Sequence, residues 1–435
     1  MWYFPGHASH ARGLYVPCRT DYTKQNIDNR GIEATILSIH MNSFNYYNPT
    51  RYIYGHGEYH NIGTVLRPLA RKVLLHYGGG SVKRSGLYDA VVASLGKAGI
   101  AWCELGGVKP NPSVDLVRTG IELARTEGVD CVLAVGGGSV IDSAKAIAVG
   151  VPHDGDIWKL YTREEQQTAA PLPVATILTL PAAGSENSPN TVLTNEQTGR
   201  KLGYGHESLR PAISIVSPEL FLTLPPEQMA YGACDMLCHI FERYFTNTQG
   251  TELTDALSEA TMRTIMQQAS ILRREPQNEH AWGQLALAGT IAHNNLLGVG
   301  REQSWACHGL EHELSAVYDV PHGAGLAVIV PAYFEAVWSA NPGIFAQWAT
   351  NVMGVTPSRD TERVVKEGIA RLRAWYRELG LPQTMSELGI PADADYAAMA
   401  RAALGTYGPR LGTATLPGVR PLDAVAAEAV YRAAI

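Results

Sequence analysis

Between residues 72 and 216 the apolar positions come in short unbroken runs. KVLLHY (72–77), AWCEL (101–105), DCVLAV (130–135), PVATILTL (173–180) and AISIV (212–216) have the length and bounding turns of buried strands. The segments between them carry apolar residues at helical spacing. In PSVDLVRTGIELARTEG (112–128), Val114, Val117, Ile121 and Ala124 fall on one face. SGLYDAVVASLGKAG, after the first run, and VIDSAKAIAVG, after the third, read as helices too. Strands alternating with helices predict a parallel sheet covered on both sides.

After Pro225-Pro226 the pattern changes. PEQMAYGACDMLCHIFERYF, TDALSEATMRTIMQQASILRRE and AWGQLALAGTIAHNNLLG are helical in period, and strand-like runs almost vanish. We therefore expect an α/β domain with a Rossmann-like parallel sheet over 41–220 and an all-helical domain over 221–435. The first forty residues have no periodicity and no apolar signal-peptide core. They read as an extension, or Met41 as the true start; a functional arm is the alternative.

Composition narrows the class. The chain has 435 residues, 46% hydrophobic and 17% charged, which fits a well-packed globular protein. A net charge of −6 gives no footing for nucleic acid or an anionic membrane. No unbroken apolar run reaches the roughly 18 residues of a spanning helix, so none is expected. The six cysteines form no spaced framework, and a cytoplasmic location is the expectation.

Two glycine loops follow strand-like runs. Gly136, Gly137, Gly138 and Ser139 open a helix, where backbone N–H groups and the helix dipole suit a pyrophosphate. The competing reading is a tight turn that needs glycine only for its shape. The first loop, YGGGSVKRSG, holds Gly79, Gly80, Ser81, Lys83 and Arg84 and no acid. If it meets the adenosine ribose, it favours NADP(H) over NAD(H); otherwise it is a solvated turn.

The helical region offers five candidate metal ligands. Asp235 and His239 are four apart, as are His308 and His312, and each pair shares a helix face. His322 lies beyond Pro321, which interrupts the second helix, so it starts the next segment and folds back. Zn²⁺ or Fe²⁺ accepts such donors. Two rivals exist: a thiolate site from Cys234, Cys238 and Cys307, and a metallopeptidase reading of His308-x-x-Glu311-His312 with Glu311 as base. By helical rotation Glu311 need not face the metal.

Taken in order, YGGGSVKRSG, GGVKPNP, LAVGGGSVIDSAKAIA, ILTLPAAGSE, TGRK, ACDMLCHIFERY and HGLEHELSAVYDVPHGAGLAVIVPA resemble the iron-containing alcohol dehydrogenase family, particularly its NADP(H)-dependent aldehyde reductase and butanol dehydrogenase branch. The resemblance implies a dehydroquinate synthase-like fold with the active site between the two regions. It implies Asp235, His239, His308 and His322 as metal ligands and His312 as a catalytic neighbour. It puts Asp142 by the nicotinamide, Lys201 by the ribose, Gly79 and Ser81 by the 2′-phosphate, and Thr179 and Ser185 among the cofactor contacts. Ala183 departs from the threonine usual there, and Asn187-Ser188 inverts the branch's order. Glu311 reads as a bystander. The implied activity is reduction of a small aldehyde to an alcohol, or the reverse, by a homodimer. A glycerol dehydrogenase-like enzyme and a non-enzymatic binder are the alternatives.

Overall fold

The computed structural model describes residues 41–411 and 414–435. The expectation for residues 1–40 lies outside the described residues.

Every strand-like run forms a strand. β1 (Arg51–Tyr54), β2 (Lys72–Tyr77), β3 (Ala101–Leu105), β4 (Cys131–Gly136), β5 (Val174–Leu178), β6 (Asn190–Asn195), β7 (Arg200–Gly205) and β8 (Ile213–Val216) follow in chain order. Six of them build one parallel sheet, in the order β1-β8-β5-β4-β2-β3. β4 and β5 are buried along their whole length, which their unbroken apolar runs require. β6 and β7 form a separate antiparallel hairpin that the apolar pattern did not predict.

The helices in the first region are α1 (Ile62–Leu66), α2 (Ser81–Arg84), α3 (Leu87–Ala98), α4 (Val114–Glu127), α5 (Gly138–Gly150) and α6 (Trp158–Thr162). α4 starts where Ser113 accepts the Asp115 N–H, ends at left-handed Gly128, and buries the predicted face. The chain passes from β2 to β3 on one side and returns to β4 on the other. The crevice above β2 and β4 is thus the point where strand order reverses, the place where such sheets bind ligands. Both glycine loops stand at its rim.

The second region is helical: α7 (Pro226–Tyr244), α8 (Glu252–Arg274), α9 (Glu279–His293), α10 (Ala306–Tyr318) and α11 (His322–Val337), followed by further packing helices. α11 corrects one expectation. With the turn to Ala340 it is long and apolar enough to cross a membrane by length and composition. Leu326, Val328, Ile329 and Val330 are nevertheless fully buried, so here it is a core helix.

Candidate active site

Helix geometry gathers the ligand-type residues. Asp235 and His239 lie one turn apart on α7, with 3.5 Å between Oδ1 and Nδ1. α10 carries His308 and His312. The chain then turns through Asp319, which is left-handed (φ 50°), and Pro321 places His322 first in α11. Gly323 permits α11 to reach α7, since a Cβ there would stand 2.2 Å from the Tyr231 carbonyl oxygen. His308 Nε2 thereby comes to 3.4 Å and His322 Nε2 to 3.7 Å from Asp235 Oδ1.

Asp235 Oδ1, His239 Nδ1 and His308 Nε2 are buried with no hydrogen-bond partner. An orphaned buried polar atom costs roughly 1–3 kcal/mol. Asp235, His308 and His322 bring one ligand atom each within 4.8 Å of one another, and His239 Nδ1 lies 3.5 Å from the same Asp235 oxygen; a cation satisfies such atoms, and nitrogen and oxygen donors of this kind suit Zn²⁺ or Fe²⁺. The residues therefore fit a divalent metal.

The far side of each imidazole is anchored. Glu242 Oε2 pairs with His308 Nδ1, and its Oε1 accepts the N–H of Cys307 at 2.5 Å and of His308 at 3.2 Å. Glu311 Oε2 pairs with His322 Nδ1, and Oε1 accepts the Ser315 hydroxyl. Such partners fix ring orientation and aim Nε2 at the metal. Burial opposes charge on His308, but Glu242 and Asp235 outweigh it and raise the ring to about 9. On His239 burial, with His293 and His308 close by, holds the ring well below its ordinary value.

Glu311 is thus no bystander. It has no exposed surface and is committed to His322 and Ser315, so it cannot serve as a peptidase base facing a cleft water. The thiolate reading finds no support in the packing: among the described residues Cys234, Cys238 and Cys307 do not bring their sulfurs together as one ligand group, and burial pushes all three thiols up. Cys238 Sγ lies 3.7 Å from Nδ1 of His308, on the anchored side of the ring. His312 is buried beside the group, its ring 5.5 Å from that of His322, and it lines the cleft.

That cleft, of about 1440 Å³, runs from Gly138 and Ser139 at the start of α5 to the histidines. Asp142, Ser185 and Lys201 also line it. Asp142 is used by the protein itself: it accepts the Ser185 hydroxyl at 2.5 Å and the Val192 N–H at 2.9 Å. Buried Lys145 donates to Ser185 Oγ, Ser188 O and Asn190 O at 2.8–2.9 Å. This network ties the loop after β5 to α5. Gly136 and Gly137 do not line the cleft. A Cβ on Gly136 would lie 2.4 Å from Val140 Cγ2, so there the glycine makes room for the first turn of α5. Thr179 also lies off the cleft wall, its N–H bonded to the Gly136 carbonyl. Gly79, Gly80 and Ser81 stand one strand over, next to the wall at Gly107, whose N–H bonds Gly78 O.

Sequence reasoning missed Glu242 and Lys145. Glu242 continues the Asp235/His239 face of α7, seven residues on, and that spacing was its signal. Lys145 stands three residues after Asp142 on α5, and that spacing was its signal.

Comparison with known proteins finds similarity over most of the chain. Residues 49–218 match the family model for iron-containing alcohol dehydrogenase, and residues 229–413 match that for the C-terminal part of the Fe-containing alcohol dehydrogenase family. NADH-dependent butanol dehydrogenase A of Clostridium acetobutylicum is 38% identical over 88% of this chain and 97% of its own. The NADPH-dependent aldehyde reductase YqhD of Escherichia coli is 33% identical over 80% of this chain and 90% of its own. The crystal structure of NADH-dependent butanol dehydrogenase A from Thermotoga maritima superimposes with a TM-score of 0.87 at 39% identity, covering 91% of this chain and 99% of that one.

Proposed function

The chain belongs to the iron-containing alcohol dehydrogenase family, and from that premise we propose that it is an NADP(H)-linked aldehyde reductase, reversibly an alcohol dehydrogenase, for short- to medium-chain aldehydes. The coarser class, an alcohol dehydrogenase or aldehyde reductase, follows from family membership. One observation carries the site assignment: Asp235, His308 and His322 bring one ligand atom each within 4.8 Å of one another, two of them orphaned and buried, at the end of a cleft that begins on a glycine-loop helix.

In this reading Asp235, His239, His308 and His322 hold the cation, Zn²⁺ or Fe²⁺, which when bound supplies Lewis-acid polarisation of a carbonyl oxygen. Glu242 and Glu311 keep two of the imidazoles aimed. Gly138, Ser139 and the start of α5 offer N–H groups and dipole to a pyrophosphate, and Lys201 faces the same cleft. The bound nicotinamide supplies hydride chemistry. His312 borders the cleft beside His322 and delivers the proton that completes the alcohol. Holding both groups at opposite ends of one cleft supplies the orientation the reaction needs.

The NADP(H) preference rests on the acid-free loop 78–84. A second reading, NAD(H), has its own support. Lys83 is already engaged, 3.5 Å from Glu104 and lying over the Tyr77 and Tyr88 rings. Two of the relatives above are named NADH-dependent. The test is an aldehyde series with NADPH and with NADH, on metal-stripped enzyme reloaded with Zn²⁺ or Fe²⁺. A higher kcat/KM with NADPH supports the first reading and a higher value with NADH the second. Absence of aldehyde reduction under every condition overturns both.

A further inference from the structure

Lys201 and Glu311 reach each other from different sides of the cleft. Lys201 stands on β7, on the nucleotide side, and is 6% exposed, while Glu311 on α10 has no exposed surface. Lys201 Nζ lies 3.8 Å from Glu311 Oε2, the same oxygen that pairs with His322 Nδ1. Ser315 holds the other oxygen. Gly325, one turn into α11, leaves room for this carboxylate, since a Cβ there would stand 2.8 Å from Glu311 Cγ. One buried carboxylate therefore joins a cofactor-side lysine to a metal-side histidine. Water and salt screen such a contact weakly. Any ligand that pulls on Lys201 changes the charge balance at Glu311 and, through it, the hold on the His322 ring.

We propose that Glu311 is a positioning residue that couples the two halves of the site: cofactor bound beside Lys201 strengthens retention of the cation by His322, and the cation strengthens cofactor binding by the same factor. This rests on the functional reading above. The H-x-x-E-H spacing then has a purpose unrelated to peptidase chemistry. It places Glu311 on the face of α10 that meets α11, one turn before Ser315, which helps hold it.

The experiment follows loss of Zn²⁺ from the loaded protein to a chromogenic chelator, with and without saturating cofactor, for the native chain, Glu311→Gln and Lys201→Met. Glu311→Gln keeps the volume and an acceptor oxygen, and circular dichroism checks that each variant is folded. In the native chain cofactor should slow metal release by about fivefold or more. Glu311→Gln should release metal about tenfold faster without cofactor and lose the cofactor effect. Lys201→Met, which frees Glu311 from the competing charge as bound cofactor would, should release metal more slowly than the native chain without cofactor and show no further slowing with it, which separates coupling from simple destabilisation. Coupling that persists in Glu311→Gln, or is absent from a native chain that binds cofactor and reduces aldehyde, overturns the proposal. Failure to bind cofactor or reduce aldehyde at all is instead failure of the functional reading.

Discussion

Glu242 and His308 are bound to each other beneath the metal-facing side of the histidine, and the same carboxylate also takes two backbone N–H groups at the start of α10. Glu242 is thus both a ring anchor and a helix-start acceptor. Replacing it with Ala leaves three buried donors without a partner. At roughly 1–3 kcal/mol for each orphan, Glu242→Ala should lose several kcal/mol of stability. Glu242→Gln retains an acceptor and should fold, but hold the metal about 10–100-fold more weakly. Urea melts and chelator competition measure the two effects. Native metal affinity in Glu242→Gln would remove the anchor role.

His308→Ala and His322→Ala should each lose tight metal binding and turnover together, because each removes one Nε2 from beside Asp235 Oδ1. His312→Ala should keep stoichiometric metal and lose turnover, by about 10²–10⁴-fold if it delivers the proton. Elemental analysis of the purified variants distinguishes them. Full metal content in His308→Ala or His322→Ala sinks the ligand set. Loss of metal in His312→Ala moves the site toward the His308/His312 pair.

The strands, the long helices and the five ligand-type side chains were legible because each depends on local spacing. Period-two or unbroken apolar runs mark strands, and i,i+4 pairs mark a helix face. The β6–β7 hairpin was not legible, since TVLTN and KLGYG are too polar to stand out beside the sheet strands, yet it carries Lys201. Rotation along α10 implied that Glu311 need not face the metal, but rotation describes one helix alone. What Glu311 touches belongs to α11, eleven residues on and across a turn. Only the packing of the two helices shows that contact. The choice among His308, His312 and His322 was open for the same reason.

Gly323 sets the distance between α7 and α11. Its missing side chain admits the Tyr231 carbonyl, and a backbone atom cannot swing aside as a side chain can. Gly323→Ala should force the helices apart where His322 meets Asp235. Cost from overpacking at such a contact is about 1–3 kcal/mol, and the metal should be released faster than from the native chain. Gly79→Ala is the control, because its Cβ would meet nothing within 4 Å. Equal metal release from the two variants would discard this account of the PHG turn.

His76 gives a prediction about pH. It is fully buried on β2, with Nδ1 bonded to the Leu105 carbonyl and Nε2 to Ser143 Oγ, each at 2.8 Å, so it joins β2, β3 and α5 beneath the glycine loops. Burial lowers its pKa to about 4, against about 6.5 unfolded. Between those values the unfolded chain binds a proton that the folded chain refuses, so stability rises with pH across this window. The contribution is intact above about pH 6.5 and is lost as pH falls toward 4, amounting to about 3 kcal/mol. His76→Gln can still hydrogen-bond but does not titrate. It should be less stable than the native chain at pH 7, and the gap should close by about that amount toward pH 4, because all other titrations are common to both. Urea melts at pH 7, 5.5 and 4.5 measure the gap. A constant difference across the three would mean that His76 takes up its proton as readily in the folded chain as in the unfolded one, and that the neutral ring is not what holds the glycine-loop strands together.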